Sequence, residues 1–341
     1  MMKQRTMGRT GLKLSELCLG TLNFGWKTDE NSAHAILDAY YAAGGNFIQA
    51  SNWSPELMLP STATSSSEEI VGRWWFTRRI PREKLFLATR IHVRPPSEGA
   101  GNFIEVDRDA MQDSMRRLRT HSIDMVIFEW NDGLVPMSST LEAFDLVVRS
   151  GSARFIGAAN FPVWRVADSL GRAYLGNHNR MEALQTDYSL MTRARFEPEA
   201  MALCAEQRLG FFASSPLAGG FLARGRDLES MLHAVRRDRL IERFGNAYGR
   251  LAQSAVADVA ERHDASSAQV ALSWVLHNPA VTSAVIGVHS VAQLNELVRA
   301  TSLTLSAADL KRLDQATAVE EVRVAPGDPQ VRMPQGELML N

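Results

Sequence analysis

The stretch LCLGTLNFG, Leu17 to Gly25, decides the fold. It begins as a short apolar strand and ends in a turn, the place where an open doubly wound α/β sheet would carry the glycine fingerprint G-x-G-x-x-G. The spacing here does not match. The chain nevertheless alternates strand and helix from this point on, which leaves closure of a parallel sheet into a (β/α)8 barrel as the favoured reading.

Working outward, short apolar runs of the buried-strand type recur at FIQA (Phe47 to Ala50), LFLATRI (Leu85 to Ile91), MVIF (Met125 to Phe128) and FIGAA (Phe155 to Ala159). They continue with ALQT (Ala183 to Thr186), GFFA (Gly210 to Ala213) and SAVIG (Ser283 to Gly287). With LCLG this makes eight strands. Between them lie helical patterns. In DENSAHAILDAYYAAGG, for example, Ala33, Ile36, Leu37 and Tyr40 mark one face at spacings of three and four, with an acidic start and Gly44 at the end. The expected architecture is one TIM-barrel domain over residues 1–341, with the tail from 318 to 341 wrapping it as coil.

The chain has 341 residues, 45% hydrophobic and 22% charged, with Lys+Arg 37 against Asp+Glu 38. So even a balance gives no electrostatic case for nucleic acid or an anionic membrane and points to a small-molecule substrate or another protein as the partner. Two cysteines, Cys18 and Cys204, both in apolar segments, argue against a disulfide framework or a metal site. No secretion signal or membrane-spanning run is visible in the sequence, so the cytoplasm is the expected compartment.

In such barrels chemistry gathers at the carboxyl ends of the strands. Those ends supply Gly20, Thr21 and Asn23, then Gln49, Ser51, Asn52, Trp53 and Ser54, then Arg90 and His92. Glu129, Trp130, Asn131 and Asp132 follow, and later Asn160, Gln185 and the SSPLAGG loop. Period-two alternation points His92 the same way as Arg90, where it can relay a proton. Trp53 and Trp130, with Asn52 and Asn131, are candidates to wall a substrate pocket. WSPELMLPSTATSS (Trp53 to Ser66) reads as a lid, and the arginine-rich segment from Arg224 through Arg226 onward reads as a solvated helical excursion.

Several blocks taken together resemble the aldo-keto reductase family: GRTGLKLSELCLGTLNFG, SEEIVGRW, GAANFP, ALQTDYS, SSPLAGGFL and VTSAVIGVHSVAQL, in the family's order along almost the whole chain. The resemblance implies the same barrel, with NADPH extended across the carboxyl-end face. It also implies an Asp, Tyr, Lys and His tetrad. At those positions this chain has Gln49, Ser54, Arg90 and Glu129. Hydride delivered to a carbonyl leaves an alkoxide that must gain a proton, and the family supplies it from an acidified phenol. Serine is a far weaker acid, and arginine does not release its proton.

On the cofactor side, Gly20, Thr21, Asn160, Gln185, Ser215, Leu217 and Gly219 match residues that in the family touch nicotinamide, ribose or pyrophosphate, and Gln293 matches on the adenine side. Ser214, Ala159, His289 and Leu297 depart from the family pattern, His289 standing where a base grips the 2′-phosphate. These departures argue against tight NADPH binding. The leading expectation is a repurposed enzyme doing acid–base chemistry, such as elimination, isomerisation or cyclisation, with Glu129 and Arg90 as its charged pair. An NAD(P)H-dependent oxidoreductase with a different proton donor, a structural ion pair plugging the barrel mouth, and a non-catalytic scaffold or sensor are the alternatives. No metal is expected.

Overall fold

The structure is a computed structural model, and it describes residues 2–51, 66–92, 108–129, 136–224 and 234–318. A two-stranded antiparallel hairpin, β1 (Gln4–Thr6) and β2 (Lys13–Ser15), precedes the barrel. The barrel strands are β3 (Leu17–Gly20), β4 (Phe47–Ser51), β5 (Phe86–His92), β6 (Ile123–Glu129), β7 (Ala153–Ala159), β8 (Met181–Asp187), β9 (Gly210–Ser214) and β10 (Ser283–Ile286). Each pairs in parallel with the next, and β10 closes on β3. The closed (β/α)8 barrel is therefore as the sequence implies.

Helices α1 (Glu30–Ala42), α2 (Ser67–Thr77), α3 (Arg108–Arg117), α4 (Met137–Arg149), α5 (Val163–Gly176) and α6 (Ala200–Gln207) follow β3 to β8 in turn. The crossover from β9 carries α7 (Ala234–Phe244), α8 (Ala247–Arg262) and α9 (Ser267–His277); α10 (Val291–Ala300) and α11 (Ala307–Ala316) follow β10. Local chemistry starts these helices where the sequence suggests. Ser66 and Glu69 form a reciprocal capping box on α2, and Ser266 and Gln269 do the same on α9. Asp29 caps α1, and Ala43 rather than Gly44 closes it, Gly44 taking the left-handed backbone one residue later.

The alternation of each strand divides the core in two. Leu17, Ile48, Leu87, Val126, Leu184 and Phe211 face the helices in one large cluster. Cys18, Phe47, Phe86, Met125, Ala183 and Phe212 fill the barrel interior. Met7 and Leu14 of the hairpin join that interior cluster and seal the amino end. The hairpin is absent from the sequence reading because its strands are three residues long and mostly polar. It is fastened by Arg5, which donates to the carbonyls of Leu276 and Val281 beyond and at the end of α9.

The parity that sends Phe47, Phe86, Met125 and Ala183 inward also sends Gln49, Arg90, Glu129 and Gln185 inward, nearer the carboxyl end. The fold thus delivers the candidate residues to one place. The segment Asn52 to Ser65, the tail from 319 to 341 and Arg226 lie outside the described residues, as do Trp53, Ser54, Trp130, Asn131 and Asp132.

Candidate active site

A cleft of about 710 Å³ opens at the carboxyl end of the barrel. Gly20, Gln49, Arg90, Glu129, Asn160 and Gln185 line one part of it, and Ser215, Leu217, Gly219 and His289 another. The residues named from the sequence thus share one cleft. Gln293 is not among its lining: its Oε1 accepts from the His289 backbone N–H at 2.9 Å, at the start of α10. Thr21 lines the cleft, but its fully buried hydroxyl is spent internally, 2.6 Å from Ser67 Oγ and 3.2 Å from the Gln49 carbonyl. His92 ends β5 in register with Glu129; its side chain falls outside the described atoms.

Two hydrogen-bonded groups make the floor. In the first, Gln49 Nε2 donates to Gln185 Oε1 at 2.9 Å while Gln185 Nε2 donates back to Gln49 Oε1 at 3.2 Å. Gln185 Nε2 also donates to Ser214 Oγ at 2.8 Å. β4 and β8 lie on opposite sides of the barrel, so this paired amide bridges its full width. Both glutamines are buried, and the reciprocal pairing satisfies polar atoms that would otherwise be costly there.

In the second group Arg90 Nη2 donates to Glu129 Oε1, and Asn160 Nδ2 donates to the same oxygen at 2.9 Å. The Arg90 and Glu129 side chains retain 25% and 12% of their exposure. The contact uses one guanidinium nitrogen: Arg90 Nε is buried without an acceptor. Asn160 is aimed by its backbone, which takes the left-handed region at φ 58° directly after β7, a conformation asparagine tolerates better than most residues.

The other wall is built mainly from main chain. Ser215 and Ala218 both have φ 50°, followed by Gly219 at 69° and Gly220 at 101°. Two non-glycine residues held there cost about 1 kcal/mol each, so the loop's shape is imposed by its surroundings. At the rim, Asp187 pairs with Arg243 of α7 at 3.2 Å. Both were missed by sequence reasoning, although Asp187 follows Gln185 by two residues and so shares its face.

Among the described lining residues there is no tyrosine or lysine. Tyr40 and Tyr188 are buried elsewhere. The Tyr40 hydroxyl serves the Leu17 and Phe47 carbonyls and Ser15, and burial pushes its pKa far up; burial does the same to Tyr188. Among the described residues no group of three or more histidine, cysteine or acidic side chains stands ready for a metal, and no helix is long and apolar enough to cross a membrane.

The sequence profile of the Aldo/keto reductase family matches residues 16–318. The chain belongs to that family. Family relatives include the uncharacterized oxidoreductase YrpG of Bacillus subtilis (strain 168), 32% identical over 92% of this chain and 95% of the relative. Protein tas of Escherichia coli (strain K12) is 30% identical over 95% and 99%. Norsolorinic acid reductase of Aspergillus flavus is 25% identical over 90% of this chain and 78% of its own length. The family acts on small molecules and normally uses NADP(H).

Proposed function

We propose that this family member is a small-molecule enzyme performing acid–base chemistry at Glu129 and Arg90 rather than carbonyl reduction through a tyrosine. The observation that carries the reading is the sharing of Glu129 Oε1 by Arg90 and Asn160 on the cleft floor. A carboxylate held this way can take a proton from carbon beside a substrate carbonyl. The C–H electron pair becomes the new C=C bond and the negative charge moves to the carbonyl oxygen. Glu129 is neutralised in the same step, so the Arg90 Nη2 that it held is released toward the new oxyanion. Charge is relocated inside the cleft rather than created. Return of the proton to another carbon completes an isomerisation; transfer to a departing β-oxygen completes an elimination.

The fit to NADPH is divided. Gly20 and the loop from Ser215 to Gly220 line the cleft where the family resemblance puts a backbone cradle for the cofactor. Asn160 and Gln185, which the family resemblance assigns to the carboxamide, instead donate to Glu129 and pair with Gln49 and Ser214. Binding the nicotinamide there would break these bonds. His289, at the 2′-phosphate position, lies 3.3 Å from Thr28 Oγ1 through Nδ1, and a neutral imidazole brings no charge to a phosphate. No hydride step is therefore assigned to these residues.

A panel of enolisable ketones and β-hydroxy carbonyl compounds incubated in deuterium oxide tests the reading. Deuterium uptake at carbon without added nicotinamide, lost at least a hundredfold in Glu129→Gln, is expected. NADPH-dependent turnover of simple aldehydes with no such exchange would establish the second reading, hydride transfer with another proton donor. That reading draws its support from the backbone cradle and from relatives named as reductases.

A further inference from the structure

The even charge total conceals an uneven distribution. Around the amino-end face, opposite the cleft, arginines stand at one loop after another: Arg79 after α2, Arg119 after α3, Arg154 at the start of β7 and Arg208 after α6. All four are exposed, and none has an aspartate or glutamate partner among the described residues. The loops that carry them are joined edge to edge. Arg82 donates to the Ser122 carbonyl at 3.0 Å, Ile123 N–H to Ser152 at 3.0 Å, and Arg9 N–H to the Arg208 carbonyl at 2.9 Å. These bonds join the loops of Arg79, Arg119 and Arg154 and tie Arg208 to the hairpin, and Phe155 and Arg208 meet at a shared hollow, so the four arginines follow one arc that also carries Glu83 and the Arg82–Asp124 pair.

Three of these arginines occupy left-handed backbone: Arg79 at φ 51°, Arg119 at 54° and Arg208 at 50°. The equivalent positions after α4 and α5 hold Gly151 and Asn177, the residues such a helix end favours. Arginine suits the negative end of a helix dipole; Arg78, Arg116 and Arg117 beside α2 and α3 are each paired with a carboxylate, whereas the arginines at the strained positions are not, among the described residues.

Aromatic rings are interleaved with the charge. The Arg119 guanidinium lies over Phe76 at 5.1 Å, and Phe76 is 58% exposed. Arg154 lies over Phe155 at 5.0 Å. Phe155 also lines a hollow of about 450 Å³ with Arg9, Arg180 and Arg208, three cations against the carboxylates of Glu182 and Glu206. There Arg9 and Arg180 share the single buried carboxylate of Glu182, at 3.1 and 3.8 Å, and each repels the other.

We propose that this face binds single-stranded nucleic acid, its phosphates along Arg79, Arg119, Arg154 and Arg208 and its bases against Phe76 and in the Arg9–Arg180 hollow. Exposed guanidinium groups stacked with rings match unpaired bases joined by phosphates. A duplex would keep its bases from the rings, and an acidic peptide has no use for them. The proposal is independent of the reaction assigned to the cleft.

The test is fluorescence anisotropy of the full chain with a labelled 20-nucleotide polyuridylate, beside a labelled polyaspartate peptide and vesicles rich in phosphatidylserine. Four phosphate contacts give a log–log salt slope of about −3, so affinity falls about fiftyfold between 50 and 200 mM salt. The triple variant Arg79→Gly, Arg119→Gly, Arg208→Gly should lose at least tenfold in affinity while melting at the same or a higher temperature, because glycine relieves the left-handed strain. Phe76→Ala should weaken polyuridylate binding alone. Absence of binding at 50 mM salt, unchanged binding by the triple variant, or tighter binding of the peptide or vesicles would overturn the proposal.

Discussion

The two walls of the cleft are made differently. One, from Gly20 across Ser215 to Gly220, is shaped by main chain held in left-handed conformations. The other, around Gln49, Arg90, Glu129, Asn160 and Gln185, is a set of side chains bonded to one another. A wall of main chain keeps its form whatever side chains it carries. A wall of interlocked side chains changes chemistry with each substitution while the strands beneath stay put. Under the proposed function, this difference lets the barrel keep its main-chain wall while the side-chain wall takes up new groups.

The comparison breaks most visibly at the ion pair. Arg90→Ala strands a largely buried carboxylate, and urea unfolding should show a loss of about 3 kcal/mol, whereas the double variant Arg90→Leu, Glu129→Leu should lie much nearer the parent. If the single variant is as stable as the parent, the pair is not holding the floor together. The amide bridge comes next. Gln49→Leu or Gln185→Leu leaves a buried amide unmatched at about 2 kcal/mol each, and the double variant should cost clearly less than the two combined. Additive losses would mean that the amides act separately.

Measurements on the cleft at low pH need a correction from outside it. Asp309 accepts from Ser306 and lies 2.8 Å from His263 Nε2, and these contacts lower its pKa to about 2. A depressed carboxyl stabilises the fold above its unfolded-state value and loses that contribution as pH falls. The expected term is about 2 kcal/mol at neutral pH, about half of it gone by pH 3. Comparison of urea midpoints at pH 7 and pH 3 for the parent and Asp309→Asn checks it. On the main-chain wall the sign reverses: Ser215→Gly should raise stability by about 1 kcal/mol, read as a higher melting temperature. The smallest effect belongs to the rim, where Arg243→Ala should change stability by about 0.5 kcal/mol or less, since its pair with Asp187 is solvent-exposed.

The eight barrel strands were legible because buried parallel strands read as apolar runs, and the ends of those runs named Gln49, Arg90, Glu129 and Gln185 as neighbours of one barrel mouth. What a strand pattern does not carry is which inward residue meets which. Gln49 and Gln185 are 136 residues apart, and their meeting depends on two strands being opposite each other in a closed ring. Likewise Asn160 reaches Glu129 by virtue of a left-handed turn that nothing in GAANFP announces. The charge asymmetry escaped for a simpler reason: a sum over the chain discards position, and only closure of the barrel gathers the helix ends onto one face.

The amide tie between β4 and β8 has a geometric consequence for whatever enters. Tied between opposite staves, the two amides form a level shelf above the apolar plug of Phe47, Phe86 and Phe212, and a flat ligand laid on that shelf would meet polar atoms on one face alone.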